Sequence, residues 1–445
     1  MVLGTDNRVL TLGIARMADA LGNSFLIIVL PLYIESGQID LSGIVGGSLF
    51  GVELTTAFLI GLVLSLFGFL NSFGQPITGR FSDRVGKRRV FVLFGLGLFG
   101  VASAAYPFVE QYEYVLLIRA FQGLGAAFTI PATIALVNEF AAGDTERGGN
   151  FGVFNTFRLI GFGFGPIVAG LVVDGGSYAT PWGELTGYNA AFGIAVLGAI
   201  VSFALVTLLI EDPPRPDNEA SDDLSFRVFD RTGDTLLDPV FTLGVGTLFM
   251  ATTIALFATL QADITDALGE GSFLFSVQFA AVVIANVLFQ VPIGRASDEY
   301  GRRPFIVAGF ALLVPSVFLQ GYVPGIAETW AGLVPADSAG LVAPLLMLFF
   351  RLLQGVAVAL VFAPSLALAG DLAGAGRSGT TLSVLTTAFG LGVAIGPLAA
   401  GYFIRFGFAA PFTFGAVIAA LALVLVYSQV EDSLGTTAGE PTPQD

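Results

Sequence analysis

The sequence has no cysteine, no histidine and a single lysine, Lys87. Without cysteine there is no disulfide framework, thiolate nucleophile, iron–sulfur cluster or cysteine–zinc site. Without histidine the usual proton shuttle near neutral pH and the commonest metal ligand are missing. The sequence also lacks a nucleophile–base set and a GxxxxGK[ST] phosphate loop, so we expect neither enzyme chemistry nor ATP hydrolysis by this chain.

Charge is scarce as well, at 12% of the 445 residues, against about 25% in an ordinary soluble domain. Hydrophobic residues make up 55%, and the 57 glycines show no three-residue period, which excludes a collagen-like chain. These figures predict a polytopic helical membrane protein. The formal net charge of −15 argues against a nucleic-acid partner and suggests a salt-loving (halophilic) source.

Twelve apolar stretches are long enough to cross a bilayer, whose hydrocarbon core of about 30 Å needs about 20 helical residues. The sequence therefore predicts an all-α membrane protein with twelve transmembrane helices. The expected spans are 10–33, 55–78, 90–109, 114–138, 150–173, 188–210, 239–262, 272–293, 304–323, 341–368, 378–402 and 407–428.

The distribution of cationic residues predicts the orientation in the membrane. Fourteen of them lie in the N-terminal tail and the alternate loops on the same side, whereas the opposite loops hold only Arg405. Because cytoplasmic loops carry the excess of arginine and lysine, we expect both termini in the cytoplasm of a multi-pass cell-membrane protein.

A segment rich in proline and acidic residues divides the chain at its middle. We expect a six-helix bundle at 1–210, a cytoplasmic linker at 211–238 with a short amphipathic helix around 224–229, a second six-helix bundle at 239–430, and a disordered cytoplasmic tail at 431–445.

Four short motifs recur in the same order in both halves, which indicates an internal duplication. The first copy contains Gly79, Arg80, Asp83, Arg84, Gly86, Lys87 and Arg88 after the second span, Arg119, Gln122 and Gly123 in the fourth, Glu139 at its end, and Gly161, Gly165, Pro166 and Gly170 in the fifth. The second copy contains Gly294, Asp298, Gly301 and Arg302 after the eighth span, Arg351, Gln354 and Gly355 in the tenth, Asp371 at its end, and Gly392, Gly396, Pro397 and Gly401 in the eleventh.

With these motifs the chain resembles the major facilitator superfamily over nearly its whole length. The arginine–glutamine–glycine motif of span four and the glycine–proline pattern of span five are similar to the twelve-span drug/proton antiporters. Asp19-Ala-Leu-Gly22 followed by Pro31 is similar to the tetracycline/proton antiporters. The resemblance implies a substrate site near the midplane, between two halves that rock alternately.

The motif at 79–89 is interpreted as a loop in which Asp83 accepts charge-assisted hydrogen bonds or lies against a helix N-terminus. The resemblance implies that Asp83 locks the two halves together near Ser378–Thr381. Glu139 could bridge to Arg84 or Arg88, and we expect a weaker second latch because Glu299 replaces Arg84. Alternatively, the cationic loop only sets the topology.

The glycine–proline pattern also has two interpretations. Its small residues either serve only to let helices pack closely or form a bend and a tight seam that control access between the halves.

Charges inside the spans are candidates for function, because burying an ion without a partner costs several kcal/mol. Asp19 is the acid placed deepest within a span. It is either a static ion-pair partner of Arg16 or Arg158, or a proton carrier whose pKa is raised by burial. Four arginines within spans against one deep acid also suggest a positive cavity that favours an anionic substrate. The antiporter resemblance implies that Arg119, and at the equivalent position Arg351, assists proton transfer or positions substrate.

We therefore expect a secondary active transporter, a proton-coupled multidrug antiporter that exports amphiphilic small molecules. Its energy would come from the proton gradient without a bound cofactor or metal, and it would act as a monomer in the lipid bilayer. One alternative is an uptake symporter or uniporter for a small nutrient or organic anion. Another is a transporter-like receptor that moves nothing.

Overall fold

The computed structural model describes residues 6–49, 51–140, 144–181, 183–213, 236–333, 335–372 and 378–431. Within these ranges the helices are α1 (Asn7–Glu35), α2 (Thr56–Val85), α3 (Arg88–Ala105), α4 (Tyr112–Glu139), α5 (Asp144–Asp174), α6 (Gly187–Leu209), α7 (Pro239–Thr259), α8 (Gln261–Leu268), α9 (Ser272–Tyr300), α10 (Arg302–Gln320), α11 (Val323–Ala331), α12 (Val342–Leu372), α13 (Ser378–Phe403) and α14 (Ala409–Gln429). Twelve of them, all except α8 and α11, are long and apolar enough to cross a membrane. The predicted all-α fold with twelve membrane-spanning helices is confirmed.

Two small antiparallel hairpins lie between helices. They pair β1 (Ser48–Leu49) with β2 (Val52–Glu53), and β3 (Ser177–Thr180) with β4 (Gly183–Thr186). Most of the predicted linker, including the amphipathic helix expected around 224–229, and nearly all of the predicted tail lie outside the described residues.

The interpretation of 79–89 as a loop is wrong for most of its length. Residues 79–85 form the last two turns of α2, which ends only where Gly86 adopts a left-handed backbone with φ 70°. The second copy is likewise helical to Tyr300, before Gly301 with φ 95°. A helix can continue beyond the hydrocarbon into polar sequence, and here a glycine with positive φ ends it.

The two halves of the chain meet mainly along two helix pairs. Within the first half α1 packs against α5 and α6, and within the second α7 packs against α13 and α14. Between the halves, α2 packs against α13 and α5 against α9. We call the membrane side of the chain termini the near face and the opposite side the far face.

The buried apolar core is continuous between the halves at the far face. One cluster combines Phe25 and Tyr33 of α1 with Phe257 of α7 and Phe275 of α9. Towards the near face, the described residues form separate clusters, one within the first half and one within the second. The halves are therefore closed against each other at the far face, while each has its own core at the near face.

A backbone cap adds to the closure of the far face. Asp174 at the end of α5 accepts a hydrogen bond of 3.0 Å from the backbone N–H of Phe273 in the first turn of α9. A carboxylate at a helix N-terminus satisfies a free donor and is favoured by the helix dipole. The contact therefore joins the two halves directly.

Candidate functional site

Asp19 lies inside the first half, where α1 faces α3, α4 and α6. Its carboxylate forms an ion pair with Arg16, one turn earlier on α1, and the residue is 8% exposed. A cavity of about 10 Å³, close to the space of one water molecule, adjoins the pair. Its lining comprises Leu12, Ala15, Arg16, Asp19, Val92, Leu96, Thr129, Thr133, Ser202 and Val206. Of the two partners considered for Asp19, the structure thus selects Arg16.

Arg158 is not brought to Asp19. Its Nε donates to Asn155 Oδ1 at 3.0 Å, one turn earlier on α5, and no described carboxylate lies within ion-pair distance of it. The outer face of α5 exposes Ile160 and Phe164, and Arg158 lies on the opposite side of the helix. It therefore places a cation on the inner wall of the first half.

Arg119 is 1% exposed and is held by neutral groups within the first half. Its Nη1 donates to Gln122 Oε1 at 3.1 Å, its Nε donates to the Val63 carbonyl at 3.4 Å, and the guanidinium lies 4.7 Å from the centre of the Phe67 ring. The hydroxyl of Tyr106 also donates to Gln122 Oε1, at 3.0 Å. These contacts position the cation between α2, α4 and the turn that follows α3.

Arg351 repeats this arrangement in the second half. Its Nη1 donates to Gln354 Oε1 at 2.7 Å, its Nε donates to the Gln278 carbonyl at 3.2 Å, and it lies 3.9 Å from the Phe257 ring centre. Gln320 takes the place of Tyr106, donating to Gln354 Oε1 at 3.0 Å. Val63 and Gln278, like the repeated α2 and α9 motifs, are 215 residues apart. The duplication read from the sequence thus extends to individual hydrogen bonds.

These hydrogen-bond networks show that the four arginines do not line one common cavity. Arg119 and Arg351 lie within separate halves, each held by a glutamine and a carbonyl, and Arg16 is paired with Asp19. That leaves Arg158 as the cation on the inner wall for which no ion pair is found among the described residues.

The near face carries one ion triad in each half. Arg88 contacts Asp83 at 2.5 Å and Glu139 at 2.6 Å, so the ends of α2, α3 and α4 are joined. Of the two bridges considered for Glu139, Arg88 rather than Arg84 makes it. The side chains of residues 378–381 lie outside the described part, so a lock between Asp83 and the start of α13 stays a prediction.

In the second triad, Arg302 contacts Asp298 at 3.1 Å and Asp371 at 3.0 Å. Arg302 is therefore the counterpart of Arg88, although the offset of 215 residues that relates Asp83 to Asp298 would place it at Lys87. The next residues agree, because Arg89 and Arg303 both donate to backbone carbonyls near the end of the last helix of their half. Lys87 is an extra residue in the first copy, and the triad itself persists although Glu299 replaces Arg84.

The glycine–proline pattern serves both packing and the seam, at different positions. A Cβ at Gly161 would collide with the carbonyl of Met17 on α1, and one at Gly392 with that of Leu248 on α7. These glycines, with Gly165 and Gly396 one turn on, pack helices within a half.

The last glycine of each pattern contacts the other half. A Cβ at Gly170 would lie 2.5 Å from Ser276 Oγ on α9, and one at Gly401 would lie 2.5 Å from the Ala57 carbonyl on α2. Gly170 and Gly401 therefore allow the close approach of the halves at the far face.

A pair of amides in each half lies outside the four repeated motifs. Asn71 and Gln75 on α2 are joined by a 3.0 Å hydrogen bond, and Asn286 and Gln290 follow 215 residues later on α9. On α2 this pair lies between the faces that pack on α4 and α13, which directs it inward. Asn286 Oδ1 is buried without a partner among the described residues. The repeat offset alone was the signal that could have found both pairs.

Two pseudo-symmetric six-helix halves, closed at one face and carrying charged and amide groups inside, define a helical membrane transporter. The family model of the Major Facilitator Superfamily matches residues 12–262 and 241–442. The chain belongs to this superfamily. It is a multi-pass membrane protein and a transporter of small molecules, not an enzyme.

Curated relatives are similar at low identity. A chloramphenicol resistance protein of Pseudomonas aeruginosa is 27% identical over 71% of this chain and 69% of that protein. The quinolone resistance protein NorA of Staphylococcus aureus is 22% identical over 68% and 71%. An uncharacterized MFS-type transporter of Methanocaldococcus jannaschii is 31% identical, but the match spans only 32% of this chain and 35% of that protein.

Solved structures share the fold. A bacterial homolog of the human lysosomal transporter Spinster, in an inward-facing and occupied conformation, has a TM-score of 0.70 at 13% identity over 95% of this chain and 97% of that chain. A D-xylose–proton symporter has a TM-score of 0.65 at 16% identity over 96% and 99%. At these identities the likeness extends to the fold alone.

Proposed function

We propose that this protein is a proton-coupled exporter of amphiphilic small molecules in the cell membrane, with its near face and both termini in the cytoplasm. It acts as a monomer, driven by the proton gradient without a bound cofactor. The observation that carries the proposal is the buried Asp19–Arg16 ion pair beside a water-sized cavity. The names of the chloramphenicol and quinolone resistance relatives favour efflux.

In this proposal Asp19 is the proton carrier. In a chain without histidine, a buried carboxylate is the group that can exchange a proton within the helices. Protonation of Asp19 cancels its attraction for Arg16, whose charge then lacks a counter-ion in a medium of low polarity. Thr129, Thr133 and Ser202 around the cavity can hold a water molecule that carries the proton to the carboxylate.

Substrate would enter between the halves from the near face, where the cores of the two halves are separate. Arg158 and the inward amides of α2 and α9 offer one charge and several hydrogen-bonding groups on an otherwise apolar wall. Such a surface accepts amphiphilic molecules with few fixed polar groups. Rocking of the halves would then break the far-face contacts and release the substrate outside.

Everted membrane vesicles test the exporter. With an acid interior, they should accumulate chloramphenicol or a fluorescent quinolone, and Asp19→Asn should abolish the accumulation. The matched control is Glu184→Gln, which neutralises an exposed carboxylate on the β3–β4 hairpin and should transport normally. Accumulation that does not depend on the pH gradient and is unchanged in Asp19→Asn would refute proton antiport.

A second candidate, transport of an organic anion, is favoured by one observation. Arg158 has no carboxylate partner among the described residues and lies on the inner wall. If the substrate is anionic, Arg158→Gln should raise the KM for an anionic drug far more than for a neutral drug of similar size, whereas Arg158→Lys should retain part of the preference. Equal losses for both drugs would exclude this candidate.

A further inference from the structure

Glu270 lies at the far face, in the short connection between α8 and α9. Its Oε2 accepts a 2.7 Å hydrogen bond from Nε2 of Gln278, two turns into α9. Gln278 is 1% exposed, and its Nε2 also donates to the carbonyl of Pro344 at the start of α12, at 3.2 Å. The carboxyl group is thus fixed against a buried amide whose two N–H donors have defined acceptors.

Each side chain of this pair keeps one buried oxygen without a donor. Glu270 Oε1 and Gln278 Oε1 have no hydrogen-bond partner among the described residues. An ionised carboxylate and an amide oxygen can only accept, so neither can satisfy the other while Glu270 is charged. Buried acceptors left in this way are rare and costly, and they call for an unseen donor.

A single proton on Glu270 Oε1 supplies that donor. The acid O–H can then donate to Gln278 Oε1 while Gln278 Nε2 continues to donate to Glu270 Oε2, which closes a cyclic acid–amide pair. We infer that Glu270 and Gln278 form a proton-binding site at the far face of the transporter, occupied when Glu270 is a neutral acid. The site deepens the proposed proton coupling, and it rests on that proposal only for its use in transport.

The surroundings agree with a neutral acid. Burial raises the pKa of the Glu270 carboxyl to about 7. The charged groups towards the far face on the neighbouring elements are Asp263 and Asp266 of α8, Glu35 of α1, Asp174 of α5 and Arg351 of α12. Four of these five are acidic, and within the described residues Arg351 forms no ion pair with Glu270.

The proton-binding site is connected both to the contact between the two halves and to the buried Arg351. The backbone carbonyl of Gln278 accepts from Arg351 Nε, and the first turn of α9 carries the cap from Asp174. A proton on Glu270 therefore ties the start of α9 to the preceding connection at the point where the two halves meet.

Infrared titration of the purified full chain tests the site without measuring transport. The C=O band of neutral carboxylic acids should contain a component with a midpoint near pH 7. Glu270→Gln should remove this component, whereas Glu35→Gln, which neutralises another acidic side chain at the far face, should retain it. Asp266→Asn, on the neighbouring exposed turn of α8, should keep this component. Loss of this component in Asp19→Asn with retention in Glu270→Gln would assign the proton to Asp19 and overturn the inference.

Thermal unfolding gives an independent reading. Because the folded pKa is raised from 4.5 to about 7, the stability from the neutral pair is complete below pH 4.5 and is lost as the pH rises through about 7. Glu270→Gln can form an amide–amide pair with the same geometry, so its melting temperature should fall less than that of the wild type over this interval. A parallel fall in wild type and variant would refute the site.

A second variant covers the case in which Glu270→Gln fails to fold. Gln278→Met keeps the length of the side chain but removes the amide, so the midpoint of the Glu270 band should move by more than half a pH unit. An unchanged midpoint would show that Gln278 does not hold the proton. If this site titrates as expected while everted vesicles show no proton-driven export, the site stands and the proposed function fails.

Discussion

The carboxylate of Asp174 in one half caps α9 of the other half by accepting a 3.0 Å hydrogen bond from the backbone N–H of Phe273. Among the described residues, the duplicated pair of α2 and α13 has no such cap. Arg405 stands at the position equivalent to Asp174, and α2 begins with its own Thr55, whose hydroxyl accepts from the Phe58 N–H at 3.2 Å. In the described part of the chain, a carboxylate thus caps a helix across the contact between α5 and α9 but not across the contact between α2 and α13.

Asp174→Ala should open the far face. An anion at a helix N-terminus is worth about 0.3–1 kcal/mol at an exposed site, so the equilibrium should shift about two- to five-fold towards far-face opening. Because the chain has no cysteine, spin labels can be placed at Glu184→Cys and Glu328→Cys, on exposed far-face positions of the two halves. A larger share of long inter-label distances is expected.

Asp174→Asn is the matched control for this measurement. The asparagine keeps an acceptor for the Phe273 N–H but loses the charge, so its effect should lie between wild type and Asp174→Ala. Identical distance distributions for all three proteins would show that the cap does not hold the seam.

Alanine at a glycine that contacts the other half should shift the equilibrium between conformations. Alanine at a glycine that packs helices within a half should lower the stability. Gly170→Ala places a Cβ against Ser276 of the other half and should lengthen the distance between the same two labels. Gly161→Ala forces α5 from α1 within one half and should cost about 1–3 kcal/mol, as overpacking does. Melting temperature and label distance, measured on both variants, separate the effects, and the prediction fails if both variants lose stability alike.

The number of spans and the duplication could be predicted from sequence because both depend on local properties. A bilayer fixes the length of an apolar run, and a motif such as Arg119–Gln122 needs only its own spacing to be recognised. The helical ends of α2 and α9 were missed because the polar sequence there resembles a loop, whereas Gly86 decides where the helix ends.

The choice of partners could not be predicted in the same way. Whether Asp19 meets Arg16 or Arg158 depends on the rotation of α1 and α5 about their axes, which the sequence does not specify. Glu270 stands between two glycines, which is typical of a surface residue. It is half-buried next to Gln278 of α9, which in turn contacts the start of α12. A constant offset of 215 residues would pair Arg302 with Lys87, and the one inserted residue is recognised from the ion triads.

Removing the glutamine that accepts a hydrogen bond from a buried arginine should destabilise the half that contains this pair. Gln354→Leu takes away the carbonyl oxygen that accepts from both Arg351 and Gln320, and a hydrogen bond to a charged group is worth about 1.5–3 kcal/mol. Gln122→Leu should act similarly through Arg119 and Tyr106. Thermal unfolding in detergent measures both losses. Gln354→Glu, which supplies a carboxylate to Arg351, should not show this loss, and a loss equal to that of the leucine variant would contradict the account.

The near-face triads should contribute a stability that depends on salt. Arg88→Gln breaks contacts with Asp83 and Glu139, and exposed ion pairs are worth about 0.2–1 kcal/mol each, so the melting temperature should fall modestly at low ionic strength. The difference from wild type should shrink in 1 M salt, where the screening length drops from about 10 Å at 0.1 M to about 3 Å. Arg302→Gln should behave alike because its triad is equivalent, whereas exposed Arg84→Gln should change little. A loss that is independent of salt would mean that Arg88 stabilises the helix ends by packing rather than by charge.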